Sequence, residues 1–466
     1  MTDNTGAGLC RLTVHGPAKA VDLAVPADVP IADLLPTLLR YSGEELEENG
    51  LDHGGWVLQR LGGPPLDDEG TAVRLDLKDG EVLYLRPRSE ALPEVRLDDL
   101  TDGIATVTRD RLQGWSPGLS RLLLRGLLIA TLFVGLVILA WAGGPAGVRA
   151  ATAGAAGLLL LAGSASASRA VGDAAAAATL GFMAAPYLAV AGWLLPGGEI
   201  SGPQAHQVLG ARLLAAGAAG AGGAVLALAV SAVFTPVFVA SAVVAFAGGV
   251  AGVLMSVLDL PTDDALTAVA ASMVIFGGFV PVLAFKLAGM KMPALPTNPG
   301  QLQEGIEPYG SRDVETRTEL ASGWMTALYA AMGAVCGGCL SALAWGPELA
   351  EGLTAGTLSL LLLLHGRGLV HVWQRLALVL PGVWGVAVLI LQAASALDPD
   401  DRPLLVVGML ALAALLAIAS WTIPGRRLVP YWGRAAELLQ STLAIALLPL
   451  TLWVLGVFGA LRGING

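Results

Sequence analysis

Cys336-Gly-Gly-Cys339 has the two-residue spacing of a redox or metal-binding pair. It stands inside an apolar run, between Gly333 and Leu340, with no histidine or acid close in sequence to complete a site. A thiol in such surroundings behaves as a small apolar residue. His365 and His371 bracket Gly366-Arg-Gly-Leu-Val370. Proton relays place histidines inside the membrane, but these two neighbour Arg367 and Arg375 and read as a solvated turn. Asp173, Arg212, Asp259 and Lys286 all fall near the ends of apolar runs. There is no phosphate loop, zinc spacing or nucleophile–base motif, and Gly62-Gly63 lies mid-chain, where a conjugated modifier cannot use it. No catalytic residue, cofactor or metal is expected, and the chain does not read as an enzyme.

The elements around these residues explain why they are sparse. Of 466 residues 55% are hydrophobic and 14% charged, against about a quarter charged in soluble proteins. From Leu122 onward, apolar runs long enough to cross ~30 Å of hydrocarbon follow one another. They number eleven, at roughly 122–143, 147–168, 174–195, 208–230, 235–257, 265–288, 323–345, 350–366, 376–397, 403–423 and 438–460. The fold class is an α-helical polytopic membrane protein of about eleven spans, carrying an N-terminal α+β domain. With the N-terminus in the cytoplasm, twelve basic residues fall inside and four outside, the latter Arg149, Arg212, Arg402 and Arg462. That is the positive-inside bias of the cytoplasmic membrane. It puts the C-terminus outside, and no cleavable signal peptide is expected. Trp141, Trp193, Trp324, Trp345, Trp421 and Trp432 fall near span ends, where indoles settle.

Small residues crowd the spans. Ala215 to Ala224 is only Ala and Gly, and Gly248/Gly252 and Gly333/Gly337 are G-x-x-x-G pairs. Such pairs let backbones approach closely, within the bundle or between subunits. The inner loop 289–322 carries Pro293, Pro296 and Pro299, then a charged stretch from Arg312 to Glu319 with the composition of a short helix.

The first 88 residues are globular. Leu9–Val14, Ala20–Val25, Trp56–Leu61 and Glu81–Arg86 read as strands, and Ile31–Arg40 has helical apolar spacing behind Pro30. The order is β-β-α-β-β. Residues 89–120 form a linker, and the spans with loop 289–322 fill 121–466. Residues 1–120 hold 21 acidic and 11 basic side chains, so the net charge of −10 belongs to this quarter. Such a domain repels nucleic acid and anionic headgroups, and its expected partner is a basic or mixed protein surface.

The strand order, the Leu66-Asp-Asp-Glu-Gly70 turn and the closing Val82-Leu-Tyr-Leu85 strand resemble a β-grasp, ubiquitin-like domain. Joined to eleven spans, with Cys10-Arg-Leu-Thr-Val14, Met292-Pro-Ala-Leu-Pro-Thr297 and Arg426-Arg427, the chain resembles the EccD family of type VII (ESX) secretion systems. The resemblance implies a cytoplasmic ubiquitin-like domain set against the EccC ATPase. It also implies a homodimer enclosing membrane lipids and assembly with EccB- and EccE-type subunits. Arg109, Arg111, Trp115, Arg312 and Arg317 are the candidate partner contacts, and Gly248, Gly252, Gly333 and Gly337 the candidate packing positions. The alternative is a secondary transporter of a small solute with a regulatory cytoplasmic domain.

Overall fold

A computed structural model describes residues 8–17, 19–43, 46, 54–88, 117–141, 143–290, 310–346, 348–423 and 430–465. They belong to two compact units, divided between Ser116 and Pro117.

In the first unit, alternation builds the sheet. Strands β1 (Leu9–His15), β2 (Ala20–Pro26), β3 (Trp56–Gln59) and β4 (Glu81–Pro87) lie in the order β2-β1-β4-β3. β1 and β4 are parallel and the outer pairings antiparallel. Cys10, Leu12 and Val14 of β1 and Leu83 and Leu85 of β4 point to one side. There they meet Ile31, Leu38 and Leu39 of α1 (Ile31–Ser42). Pro30, the cap residue of α1, offers no side-chain acceptor. The carbonyls of Gly70 and Asp68 accept from Ile31 and Ala32 N–H instead, at 3.0 and 2.8 Å. The acidic turn therefore closes the helix start, where free N–H groups need partners.

Arg60 ties down the long β3–β4 connection. Its Nε donates to Glu81 Oε1 at 2.5 Å and its Nη2 to the carbonyls of Leu75 and Asp76. That hydrogen bond, more than any other cause, holds the Glu81 carboxyl below its usual range. A carboxyl lowered by folding stabilises the fold above its unfolded value, about 4.3, and loses that contribution as pH falls through the folded value. Residues 1–116 are therefore expected to weaken below about pH 4.3. In circular-dichroism melts, Arg60→Met should flatten this acid dependence; the same slope with and without Arg60 would show that the pair contributes nothing.

Among its described residues the second unit has helices and no strand: α2 (Pro117–Ala140), α3 (Ala146–Ser166), α4 (Ala174–Leu194), α5 (Ala205–Ser231), α6 (Thr235–Ser256), α7 (Thr262–Gly277), α8 (Val280–Leu287), α9 (Ser311–Leu343), α10 (Leu349–Arg367), α11 (Val372–Ala396), α12 (Arg402–Thr422), α13 (Pro430–Val454) and α14 (Val457–Asn465). A π-turn, Ala167–Val171, extends α3 and ends at Gly172, whose φ of 75° suits glycine. Among the described residues ten helices are long and apolar enough to span a membrane, and eleven spans result if the bent pair α7–α8 counts as one.

Two expectations about these helices need correction, and the span 265–288 is bent: α7 and α8 meet at 59°, because Gly277 and Gly278 hold the chain weakly in a helix and Pro281 removes a backbone donor just beyond. The charged stretch 312–319 is no separate helix, for it opens the 33-residue α9. At ~1.5 Å per residue α9 is about 50 Å long, so its charged turns extend past ~30 Å of hydrocarbon. Trp324 is buried in α9. Finally, the last span starts at Pro430 and stops at Val454, where Gly456 (φ 66°) turns the chain into α14.

Candidate functional site

Close backbone approach is the main device of the membrane unit. α5 packs between α4 and α6. A methyl group on Gly217 would sit 2.5 Å from Gly249 N and 2.6 Å from Ala245 O. One on Gly210 would meet Met255 Cβ at 2.6 Å, and one on Gly252 would meet Gly210 O at 2.6 Å and run into the backbone of Leu214. Gly333 faces Ala377 O and Pro381 of α11, and Gly337 lies 3.4 Å from Pro381 Cβ by the same measure. Gly252, Gly333 and Gly337 thus pack inside this chain. Gly248 differs: nothing lies within 4 Å of its methyl position, and it lines a groove of about 320 Å³ with Phe182, Pro186 and Ser241.

Polar tethers hold the first span. No residue of α2 is buried, yet Arg125 Nη2 reaches both oxygens of Asp173 at 3.0 and 2.9 Å. Asp173 also caps α4, accepting from Ala175 and Ala176 N–H. The Ala176 N–H and then Arg125 hold its carboxyl below the usual range. Higher up, Tyr187 Oη donates to Leu132 O at 2.8 Å, in a notch opened by Gly135. Arg149 donates to the carbonyls of Leu139 and Trp141 at the C-terminal end of α2, a favourable place for a cation. The aspartate at a helix start was a readable capping signal; its distant partner Arg125 was not.

The solvated-turn expectation fails for His365. It sits in the last turn of α10, with Nε2 3.4 Å from Tyr329 Oη of α9 and Nδ1 3.2 Å from Gln440 Nε2 of α13. His371 is exposed ahead of α11. Cys336 and Cys339 lie in the apolar core that α9 shares with α10 and α11. Among the described residues no group of three or more His, Cys, Asp or Glu could hold a metal ion. Arg109, Arg111 and Trp115 lie outside the described residues. Arg312 is exposed, while Arg317 is engaged within the chain, pairing with Asp313 at 2.9 Å and donating to Gly289 O beyond α8.

Comparison with known proteins turns this geometry into a family. The EccD-like transmembrane domain matches residues 120–464, most of the chain. The chain belongs to the EccD family. An ESX-4 secretion system protein, eccD4 of Mycobacterium tuberculosis (strain ATCC 25618 / H37Rv), is 30% identical over 482 residues, spanning 98% of each chain. The β-grasp unit of this EccD protein matches YukD of the WXG100 protein secretion system over residues 9–85. Two solved structures share the fold. One is a chain of the MycP5-free ESX-5 inner membrane complex, with TM-score 0.58, 19% identity, and 90% of this chain and 100% of that one covered. The other is from protomer 1 of the ESX-3 core complex, with TM-score 0.58, 17% identity, and 97% and 100% covered. As an EccD protein it is a multi-pass membrane component of a type VII secretion system with a ubiquitin-like domain.

Proposed function

We propose that this EccD protein is a structural, non-catalytic subunit of an ESX-type export complex in the cytoplasmic membrane. It forms a homodimeric scaffold and docks the EccC-type ATPase through its cytoplasmic ubiquitin-like domain, with EccB- and EccE-type subunits alongside. The observation that carries this reading is how little α2 and α12 use their own bundle. Neither has one buried residue, as expected of helices that complete their packing on other chains or on lipid. The acidic β-grasp unit supports a basic partner surface, and the charge bias supports an inner N-terminus and an outer C-terminus. The eccD4 likeness runs the whole length of this chain, which supports an ESX-4-type system.

The transporter alternative draws on one feature, the broken span α7–α8. Transporters built from inverted repeats break corresponding helices in both halves, and among the described residues this is the single bent pair. A mild-detergent pull-down of the tagged chain, with mass spectrometry and native sizing, tests the scaffold. Recovery of EccB-, EccC- and EccE-type subunits with more than one copy of this chain is expected, as is loss of EccC alone after removing residues 1–88. A lone monomer that binds a small solute would overturn the reading.

A further inference from the structure

The break between α7 and α8 opens a groove of about 590 Å³ against α6 and α9, lined by Val243, Met273, Phe276, Leu283 and Met332. Its one ionic lining residue is Lys286, in the last turn of α8. Among the described residues Lys286 is exposed and has no ion-pair partner. A lysine in a last helical turn ordinarily answers the free carbonyls there. Here the carbonyls of Ala284, Phe285 and Lys286 already accept from the N–H groups of Ala288, Met290 and Gly289, which leaves the Lys286 ammonium free.

The dimensions point to an occupant. From Met273 to Lys286 the lining spans 13 residue steps, at most about 20 Å of helix. One leaflet contributes about half of ~30 Å of hydrocarbon. The groove therefore covers about one leaflet of apolar depth and ends in one cation, Lys286, at headgroup level. We propose that it binds a single anionic phospholipid, its acyl chain along Phe276 and Leu283 and its phosphate on Lys286. The lipid fills the wedge left by the bend and makes α7–α8 a stable element of the bundle.

Native mass spectrometry of the detergent-solubilised full chain, titrated with phosphatidylglycerol or phosphatidylcholine, tests this. Phosphatidylglycerol is expected to be retained about fivefold better, the preference one cation gives near a headgroup. Lys286→Gln should remove the preference and Lys286→Arg keep it. Val282→Trp, at an exposed lining position, should fill the groove and lower retention of both lipids. Equal retention of the two lipids by the unmodified chain overturns the proposal. So does an undiminished preference in Lys286→Gln, or displacement of phosphatidylglycerol by inorganic phosphate, which would mark a bare anion site.

Discussion

Gly252→Val is expected to unseat α6 from α5, whereas Gly248→Val, one turn away on the same helix, should leave the bundle as stable as before. The difference lies in what the new side chain meets. At Gly252 the neighbours are backbone atoms of Gly210 and Leu214, which cannot rotate aside as a flexible side chain can. Overpacking a well-filled interior costs typically 1–3 kcal/mol. With backbone on the facing side, Gly252→Val belongs at or above the top of that range, about 3 kcal/mol. At Gly248 the space is open, and valine is a somewhat better helix former than glycine, so the change is near zero or a gain of a few tenths of a kcal/mol. Thermal unfolding in detergent reads the contrast directly. Equal losses at both positions would mean that the close approach is not what holds this seam. Unchanged stability but loss of the oligomer in Gly248→Val would mark the Gly248 groove as a contact between copies.

The two glycines also show how far spacing alone can be read. A G-x-x-x-G pair announces close packing, yet Gly248 and Gly252 meet different surroundings, and only the positions of α4 and α5 decide which. The ubiquitin-like fold was legible because each element writes its own period: Cys10, Leu12 and Val14 alternate, and Ile31, Leu38 and Leu39 return at helical spacing. The span count was legible for a similar reason, since a window of hydropathy needs no partner. Hydropathy carries no direction, however, so it returned the span 265–288 without the 59° bend inside it. It also stops where charge begins, so the first turns of α9 read as a separate helix. Long-range polar pairs were illegible on principle: Arg125 and Asp173 are 48 positions apart, and His365 meets Gln440 across 75.

The charge bias has a second cause that the helices expose. Asp263, Asp264 and Glu351 occupy the first turns of α7 and α10, and Asp398, Asp400 and Asp401 precede α12. Arg169, Lys286 and Arg367 stand in last turns. Acids at helix starts and bases at helix ends complement the macrodipole. In this bundle that preference and the positive-inside preference fall on the same residues, so mutating one of these charges tests both together.

Leu83→Ala is expected to abolish the fold of the ubiquitin-like domain while leaving the membrane unit intact. Leu83 is fully buried in β4, a central strand of the four-stranded sheet, and packs with the α1 face. Truncating a buried leucine costs about 2–5 kcal/mol. A single core in a domain of this size supplies roughly 3–5 kcal/mol in total, so the substitution removes most of what holds the domain. Its sequence neighbour is an internal control. Val82 points to the other side of the sheet and is 41% exposed, so Val82→Ala should change stability by no more than about 0.5 kcal/mol. Hydrogen-exchange mass spectrometry on the full chain separates the units. In Leu83→Ala, peptides from residues 8–88 should lose protection while those from 143–290 keep it. On the scaffold reading, the same variant should still recover EccB- and EccE-type subunits and lose the EccC-type ATPase. Retention of the ATPase by an unfolded domain would move its docking surface to the membrane unit, with exposed Arg312 on the projecting start of α9 the first residue to test.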